Sequence, residues 1–302
     1  MSEMSCGCKA SRSCIACSRD GLLHLKEKSF QCTSFTLVYC PVCRVAHHTS
    51  FLFDDPSLSG SSMVKQIAAL YLLSQTEKRC ILEKEVKIEV FKNESKDIEV
   101  SGITVGCYFL SQEEELSIIE QIEGFDWKQS QSGRLKQDFG PKPNFKKKKL
   151  RLETFTGLPA FSQGILRRLR DMPGNELSDF EAVEQCHLDY NVSRGSHIDM
   201  HFDDFWLWGD RLVTLNLLSH SIISLTHPQL PYTILIGQPR LSVVVLSKEA
   251  RNEWFHGIYP NHIIDRRVAI TYRELTDEMK STDVGLKVTK IASNFTAVQT
   301  SS

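Results

Sequence analysis

The densest chemistry in the chain lies in Gly195-Ser-His197-Ile-Asp199-Met-His201-Phe-Asp203-Asp204, where two imidazoles and several carboxylates crowd together. A His-x-Asp pair joined by a distant histidine makes the set of two imidazoles and one carboxylate that suits non-haem Fe(II) and leaves coordination positions open. A 2-oxo acid such as 2-oxoglutarate would take two of those positions and dioxygen the third. Two overlapping pairs compete, His197/Asp199 and His201/Asp203. On a strand all four side chains share one face, so period does not separate them. His201 and Asp203 are preferred because they sit at a strand end, just before the aromatic turn Phe205-Trp206-Leu-Trp208-Gly209. The competing reading is a pair of solvated polar positions on a strand edge.

The third ligand is expected near another strand end, C-terminal to the first pair. His256 fits, with an apolar run before it and the turn Tyr259-Pro-Asn after it; His262 is its rival, and His220 and His227 fall in expected loops. Next comes Arg266-Arg267-Val-Ala-Ile-Thr-Tyr-Arg273. On a strand, residues 267, 269, 271 and 273 share a face. Two inward arginines are costly to bury without anions. A dicarboxylate co-substrate would supply one, through the bidentate contact that guanidinium makes with carboxylate.

These residues need a β scaffold. Short β-type runs broken by turn residues are read at 103–109, 183–190, 212–218, 222–225, 232–236, 241–246 and 268–272, which implies an antiparallel sandwich, barrel or jelly roll. A capping box at Ser111-Gln-Glu-Glu114 predicts one helix ahead of Leu116, Ile118, Ile119 and Ile122. A second helix is expected after Pro159, through Ile165, Leu166 and Leu169. Helix-like spacing at 63–82 (Val64, Ile67, Ala68, Tyr71) precedes a strand-like run at 86–90. The resulting division is a Cys-rich arm at 1–50, an insert at 51–100, one main domain at 101–280 and a frayed tail at 281–302.

Composition bounds the partners. Lys+Arg 36 against Asp+Glu 37 leaves a net charge of −1, so a whole-chain grip on nucleic acid or an anionic membrane is not expected. No apolar run is long enough for a membrane span, and the first residues hold cysteines rather than a signal-peptide core. An intracellular chain is expected. Seven of the 10 cysteines (Cys6, Cys8, Cys14, Cys17, Cys32, Cys40, Cys43) precede position 44. In a reducing compartment such spacing favours metal over disulfides. Cys6, Cys8, Cys14 and Cys17 suit tetrahedral zinc, with an exposed tail of reduced thiols as the alternative. Cys40-Pro-Val-Cys43 with His47 is a weaker second candidate. The run Lys146-Lys-Lys-Lys149 reads as a solvated loop before a phosphate contact. Trp206 and Trp208 read as core before an aromatic wall for a base or a methylammonium.

His201-x-Asp203, His256 and Arg267-x5-Arg273 together resemble the AlkB-type branch of the Fe(II)/2-oxoglutarate dioxygenases, and within it the group of the fourth mammalian homologue. The segment 131–145, Glu184-Gln-Cys-His-Leu-Asp-Tyr190, the segment 205–212, Leu215-Asn-Leu-Leu218 and the N-terminal cysteines carry the same resemblance. It covers roughly 5–40 and 100–280; residues 41–98 match nothing associated with the family. The resemblance implies a mainly β fold with flanking helices around a double-stranded β-helix (jelly-roll) core. It implies Fe(II) on His201, Asp203 and His256, and 2-oxoglutarate on Arg267, Arg273, Tyr190 and Asn216. Arg134, Lys136, Phe139 and Trp206 would line the substrate side. The implied reaction uses O2 to remove an N-methyl group as formaldehyde. Its substrates would be monomethyl-lysine in an actin-like protein, N6-methyladenine in DNA, or both, in cytoplasm and nucleus. The near-neutral charge tilts that expectation toward protein. The rival is a catalytically weak scaffold in an actomyosin or chromatin setting.

Overall fold

The structure is a computed structural model that describes residues 35–48, 60–80, 82, 97–174 and 176–297. Cys6, Cys8, Cys14 and Cys17, and the run at 86–90, lie outside the described residues. The chain enters through β1 (Phe35–Tyr39), β2 (Val45–His48), helix α1 (Gly60–Glu77) and β3 (Ile98–Glu99). Next come β4 (Ile103–Gly106), α2 (Gln112–Glu123), β5 (Lys128–Gln129) and β6 (Leu135–Phe139). The hairpin β7 (Lys142–Asn144) and β8 (Lys149–Arg151) leads to α3 (Ser162–Arg170). The last stretch holds β9 (Glu184–Tyr190), β10 (Ile198–His201), β11 (Trp208–Leu217), β12 (Ser221–Thr226) and β13 (Tyr232–Gln238). It closes with β14 (Ser242–Leu246), α4 (Lys248–Asn252), β15 (Phe255–Ile258), β16 (Arg267–Leu275), α5 (Asp277–Lys280) and α6 (Asp283–Ala292).

Two seven-stranded sheets make a jelly roll, one in the order β10-β15-β12-β13-β1-β2-β3 and the other β4-β14-β11-β16-β9-β6-β5. Side-chain alternation sorts each inner strand between two cores. Along β14, Val244 and Leu246 face the space between the sheets, while Val243 and Val245 join α2, α3 and α6 on the far side. Along β16, Val268, Ile270 and Tyr272 enter that far core, which leaves Arg267, Ala269, Thr271 and Arg273 on the inner face. Each fully buried Val, Leu or Ile contributes about 1.5–3 kcal/mol over its exposed state. A one-residue slip would exchange the two faces, so the hydrophobic set fixes the inward position of both arginines.

Helix α2 begins as expected. Ser111 Oγ accepts from Glu114 N, and Glu114 Oε2 accepts from Ser111 N in return. Helix α1 lies against β13 where Gly237 leaves room, since a Cβ there would come within 2.9 Å of Ile67 Cγ2.

The expected boundaries at 50/51 and 100/101 are not boundaries in space. β1 pairs in parallel with β13, and Leu37, Val38, Tyr39, Val64, Ile67 and Tyr71 share one core with Ile222, Leu225 and Ile234. That pairing joins distant parts of the chain, which local windows do not sense. Nor is the tail frayed through its whole length. Thr282 caps α6, accepting from Gly285 N, and Val288 and Ala292 are buried in the helix-side core. Thr282 followed by apolar positions at helical spacing was the signal for it. Among the described residues no helix is long and apolar enough to cross a membrane.

Candidate active site

Strands β10 and β15 pair antiparallel with His201 opposite His256, and their ring centroids lie 4.4 Å apart. Close approach at this point requires Gly257: a Cβ would sit 2.8 Å from Ile198 O and 2.9 Å from Met200 Sδ. Asp203, just past the end of β10, brings Oδ1 to 3.7 Å from His201 Nε2. One ligand atom from each of His201, Asp203 and His256 lies within 4.8 Å of the others. His201 Nδ1–H donates to Asp199 O at 2.7 Å, which fixes the tautomer and turns Nε2 toward the group. His256 Nδ1 is buried with no protein partner.

The electrostatics suit a cation. Burial, then the neighbouring charge of His201, lowers His256 to about 3, so its imidazole is neutral near pH 7, as a metal ligand must be. Burial alone would raise Asp203, but Arg273, His256 and His201 together hold its carboxyl below the usual range.

Of the competing pair, His197 Nε2 meets its own Asp199 at 3.5 Å and stays outside the group. His262 is buried elsewhere, 3.3 Å from Ser224 Oγ. His220 Nδ1 accepts from Arg240 N, and His227 Nδ1 accepts from Gln229 N.

The cavity beside the triad is lined by Arg267, Ala269, Thr271 and Arg273 of β16, together with Tyr190 and Leu188 of β9. Arg267 is fully buried among neutral groups. Its Nε donates to Asn216 Oδ1 at 2.5 Å and its Nη2 to Gln238 Oε1 at 3.0 Å, while Nη1 has no partner. The Tyr190 ring lies 4.8 Å from the guanidinium carbon. A buried cation that lines the cavity and keeps its Nη1 unpartnered fits the far carboxylate of a dicarboxylic acid.

Four residues, Arg273, Asn216, Phe139 and Trp206, lie differently from expectation. Arg273 does not await a co-substrate: Nε donates to Asp203 Oδ2 at 2.9 Å and Nη1 to Glu184 Oε2 at 2.8 Å. Its anions belong to the protein, and it orients the Asp203 carboxylate. Asn216 lies behind Arg267 rather than in the cavity. Its Nδ2 donates to the carbonyls of Ser219, Gln238 and Pro239, which aims Oδ1 at the guanidinium. On β6 the alternation splits the expected substrate side. Lys136 pairs with Leu188 and shares the cavity face, whereas Phe139 points to the far core against Phe125 and His187. Arg134 stays near the cavity, 5.8 Å from the Tyr190 ring centroid. Trp206 packs on the far core, and Trp208 is buried there with Arg273 over its ring. Glu184 is the functional residue that sequence reasoning missed; its even parity with Tyr190 on β9 was the available signal.

The residues present therefore fit Fe(II) with a 2-oxo dicarboxylate. Among protein-family models none matches the chain. A DNA N6-methyl adenine demethylase of Caenorhabditis elegans is 32% identical over 277 residues, covering 90% of this chain and 87% of that protein. The alpha-ketoglutarate-dependent dioxygenase alkB homolog 4 of Mus musculus is 41% identical over 229 residues, covering 64% of this chain and 75% of that one. A solved 2OG-Fe(II) oxygenase family oxidoreductase from Burkholderia pseudomallei superposes with a TM-score of 0.42 at 15% identity, over 57% of this chain and 83% of its own. The Caenorhabditis elegans and Mus musculus relatives, taken with the site, show that the chain belongs to the AlkB-type family of Fe(II)- and 2-oxoglutarate-dependent dioxygenases, enzymes that use O2 as their oxidant.

Proposed function

We propose that the protein is an oxidative N-demethylase and that its substrate is N6-methyladenine in DNA. The observation that carries the demethylase reading is the placement, in one cavity, of the His201/Asp203/His256 group and the unsatisfied guanidinium of Arg267. When Fe(II) and 2-oxoglutarate are bound, they supply oxidation of an N-methyl C–H bond by O2, yielding the demethylated amine, formaldehyde, succinate and carbon dioxide. The chain's part is positional. His201, Asp203 and His256 hold the metal; Arg273 keeps Asp203 ionised and oriented; Arg267 fixes the far carboxylate. Leu188, Ile198, Ile223 and Ile258 give the cavity part of an apolar lining.

Two observations support the adenine reading. The relative of that printed activity matches along most of both chains. The β7–β8 hairpin also presents Lys146, Lys147, Lys148 and Lys149 to solvent. Exposed lysines of this kind neutralise phosphates. Residence in the nucleus as well as the cytoplasm follows from that reading. Monomethyl-lysine in an actin-like protein is the second reading, favoured by a net charge of −1.

The test is mass spectrometry of a methyladenine oligonucleotide and of methyl-lysine actin, incubated side by side with the iron-loaded protein, 2-oxoglutarate and air. The expected result is methyl loss from the oligonucleotide, with equal formaldehyde and succinate, abolished in a His201→Ala/Asp203→Ala variant. Methyl loss from actin alone would reject the adenine reading. Succinate formed with no methyl lost from either would reject demethylation of both.

A further inference from the structure

Away from the iron cavity, the added edge of the first sheet gathers a second set of donors. Cys40 follows β1, Cys43 ends the turn into β2, and Cys80 lies just beyond α1. One Sγ from each lies within 4.8 Å of the other two. His47, on β2, brings Nε2 to 3.0 Å from Cys43 Sγ and 3.6 Å from Cys80 Sγ. We propose that Cys40, Cys43, His47 and Cys80 form a structural zinc site, separate from the iron centre, that clips the β1–β2 hairpin to the end of α1.

Local geometry explains why these groups meet. Cys40 N donates to Val45 O and Arg44 N donates to Cys40 O, both at 2.9 Å, so the Cys-Pro-Val-Cys turn closes on itself. Arg44 takes a left-handed conformation, φ 63°, which folds both thiols to one side. Beyond α1, Lys78 at φ 52° turns the chain so that Cys80 returns toward the hairpin. His47 is 5% exposed, and its Nδ1 lies 3.4 Å from Asp97 Oδ2. A carboxylate behind one ring nitrogen, with the other nitrogen facing thiols, is the arrangement that orients metal-bound histidine.

The donor set selects the metal. Three thiols and one imidazole suit tetrahedral Zn²⁺, for which a Zn–S distance of about 2.3 Å sets donor separations near ~3.8 Å. The Cys43–Cys80 separation of 3.4 Å and the His47 contacts of 3.0 and 3.6 Å all fall slightly inside that value, so the donors need only move apart by a fraction of an ångström to admit the ion. A disulfide would use two of the sulfurs and leave the third thiol and the imidazole without a task. None of the described cysteines is in a disulfide. With four protein donors no position is open, so the site binds metal for structure rather than catalysis. Its load reaches the jelly roll directly, because β1 pairs with β13.

The test uses the full chain with Cys6, Cys8, Cys14, Cys17 and Cys32 replaced by serine, so that no other N-terminal thiol competes. Purified under reduction, it should retain one tightly bound zinc, and X-ray absorption at the zinc edge should show three sulfurs and one nitrogen. Cys43→Ser and Cys80→Ser should each weaken zinc binding at least roughly 100-fold in competition with a chromophoric chelator. His47→Cys should keep the metal with four sulfurs, which separates loss of a ligand from loss of the fold. Zinc content unchanged by Cys43→Ser and Cys80→Ser, a first shell without sulfur, or a Cys43–Cys80 disulfide in the reduced preparation would each overturn the site.

Discussion

The two ends of β16 bury the same side chain in opposite ways. At one end Arg273 lies between Asp203 and Glu184, a cation supplied with its anions by the fold. At the other, Arg267 is surrounded by the amides of Asn216 and Gln238 and keeps an N–H unsatisfied. Neutral amides can orient a guanidinium, but they do not offset its charge. The end with carboxylates is complete as it stands, and it steadies Asp203, the carboxylate of the proposed metal group. The other end is completed by an anion from outside. The contrast separates a structural ion pair from a binding site on one strand.

Replacing Arg273 should have the largest effect. Arg273→Met leaves Asp203 and Glu184 beside each other without a counter-charge. Because that side chain is 19% exposed, the expected loss is about 3 kcal/mol, the lower end for a broken buried pair. Urea denaturation would check it, and metal titration should show weaker Mn²⁺ binding in the same variant. Asn216→Ala comes next. It frees the Nε of Arg267 and deletes the donor to three carbonyls, for a cost of about 1–3 kcal/mol. Michaelis kinetics should show the effect as a higher KM for 2-oxoglutarate, with metal binding retained. Arg267→Met should be smaller still in stability, within about 1 kcal/mol of wild type, because a buried charge without a protein anion contributes little to the fold. A loss as large as that of Arg273→Met would erase the distinction between the two ends.

A buried titratable group can also be held neutral, and His187 is the example. Burial lowers it from 6.5 to about 3, against an opposing pull from Asp138. Its Nδ1–H donates to Gln137 Oε1, and its Nε2 accepts from Gln185 Nε2, both at 2.7 Å. Between pH 6.5 and 3 the unfolded chain binds the proton that the folded one refuses, so stability rises with pH across that window. His187→Gln should flatten this slope while changing little at pH 7, as unfolding curves at several pH values would show.

Much of the site was legible because it obeys local periodicity. The inward face of β16 followed from alternation, and the metal pair from its place at a strand end. The roles of Arg273 and Asn216 were not legible, because Asp203, Glu184 and Gln238 reach them from separate strands. Phe139 was misplaced for a simpler reason: on a strand, one residue of parity decides which of two cores a ring enters. Strand β1 joins β13 in parallel, and Cys80 meets Cys40 and Cys43 across a helix. Such non-local contacts leave no periodic trace in sequence.

Binding of 2-oxoglutarate should require the His201/Asp203/His256 group and the unpaired Arg267 guanidinium together. Calorimetric titration of 2-oxoglutarate into the Mn²⁺-loaded protein, compared with Arg267→Met, tests it most directly. One equivalent should bind the wild type, and the variant should bind roughly 10- to 100-fold more weakly, the loss of about 1.5–3 kcal/mol expected for a contact to a charged group. Equal affinity in the two proteins, or binding that needs no metal, would contradict it.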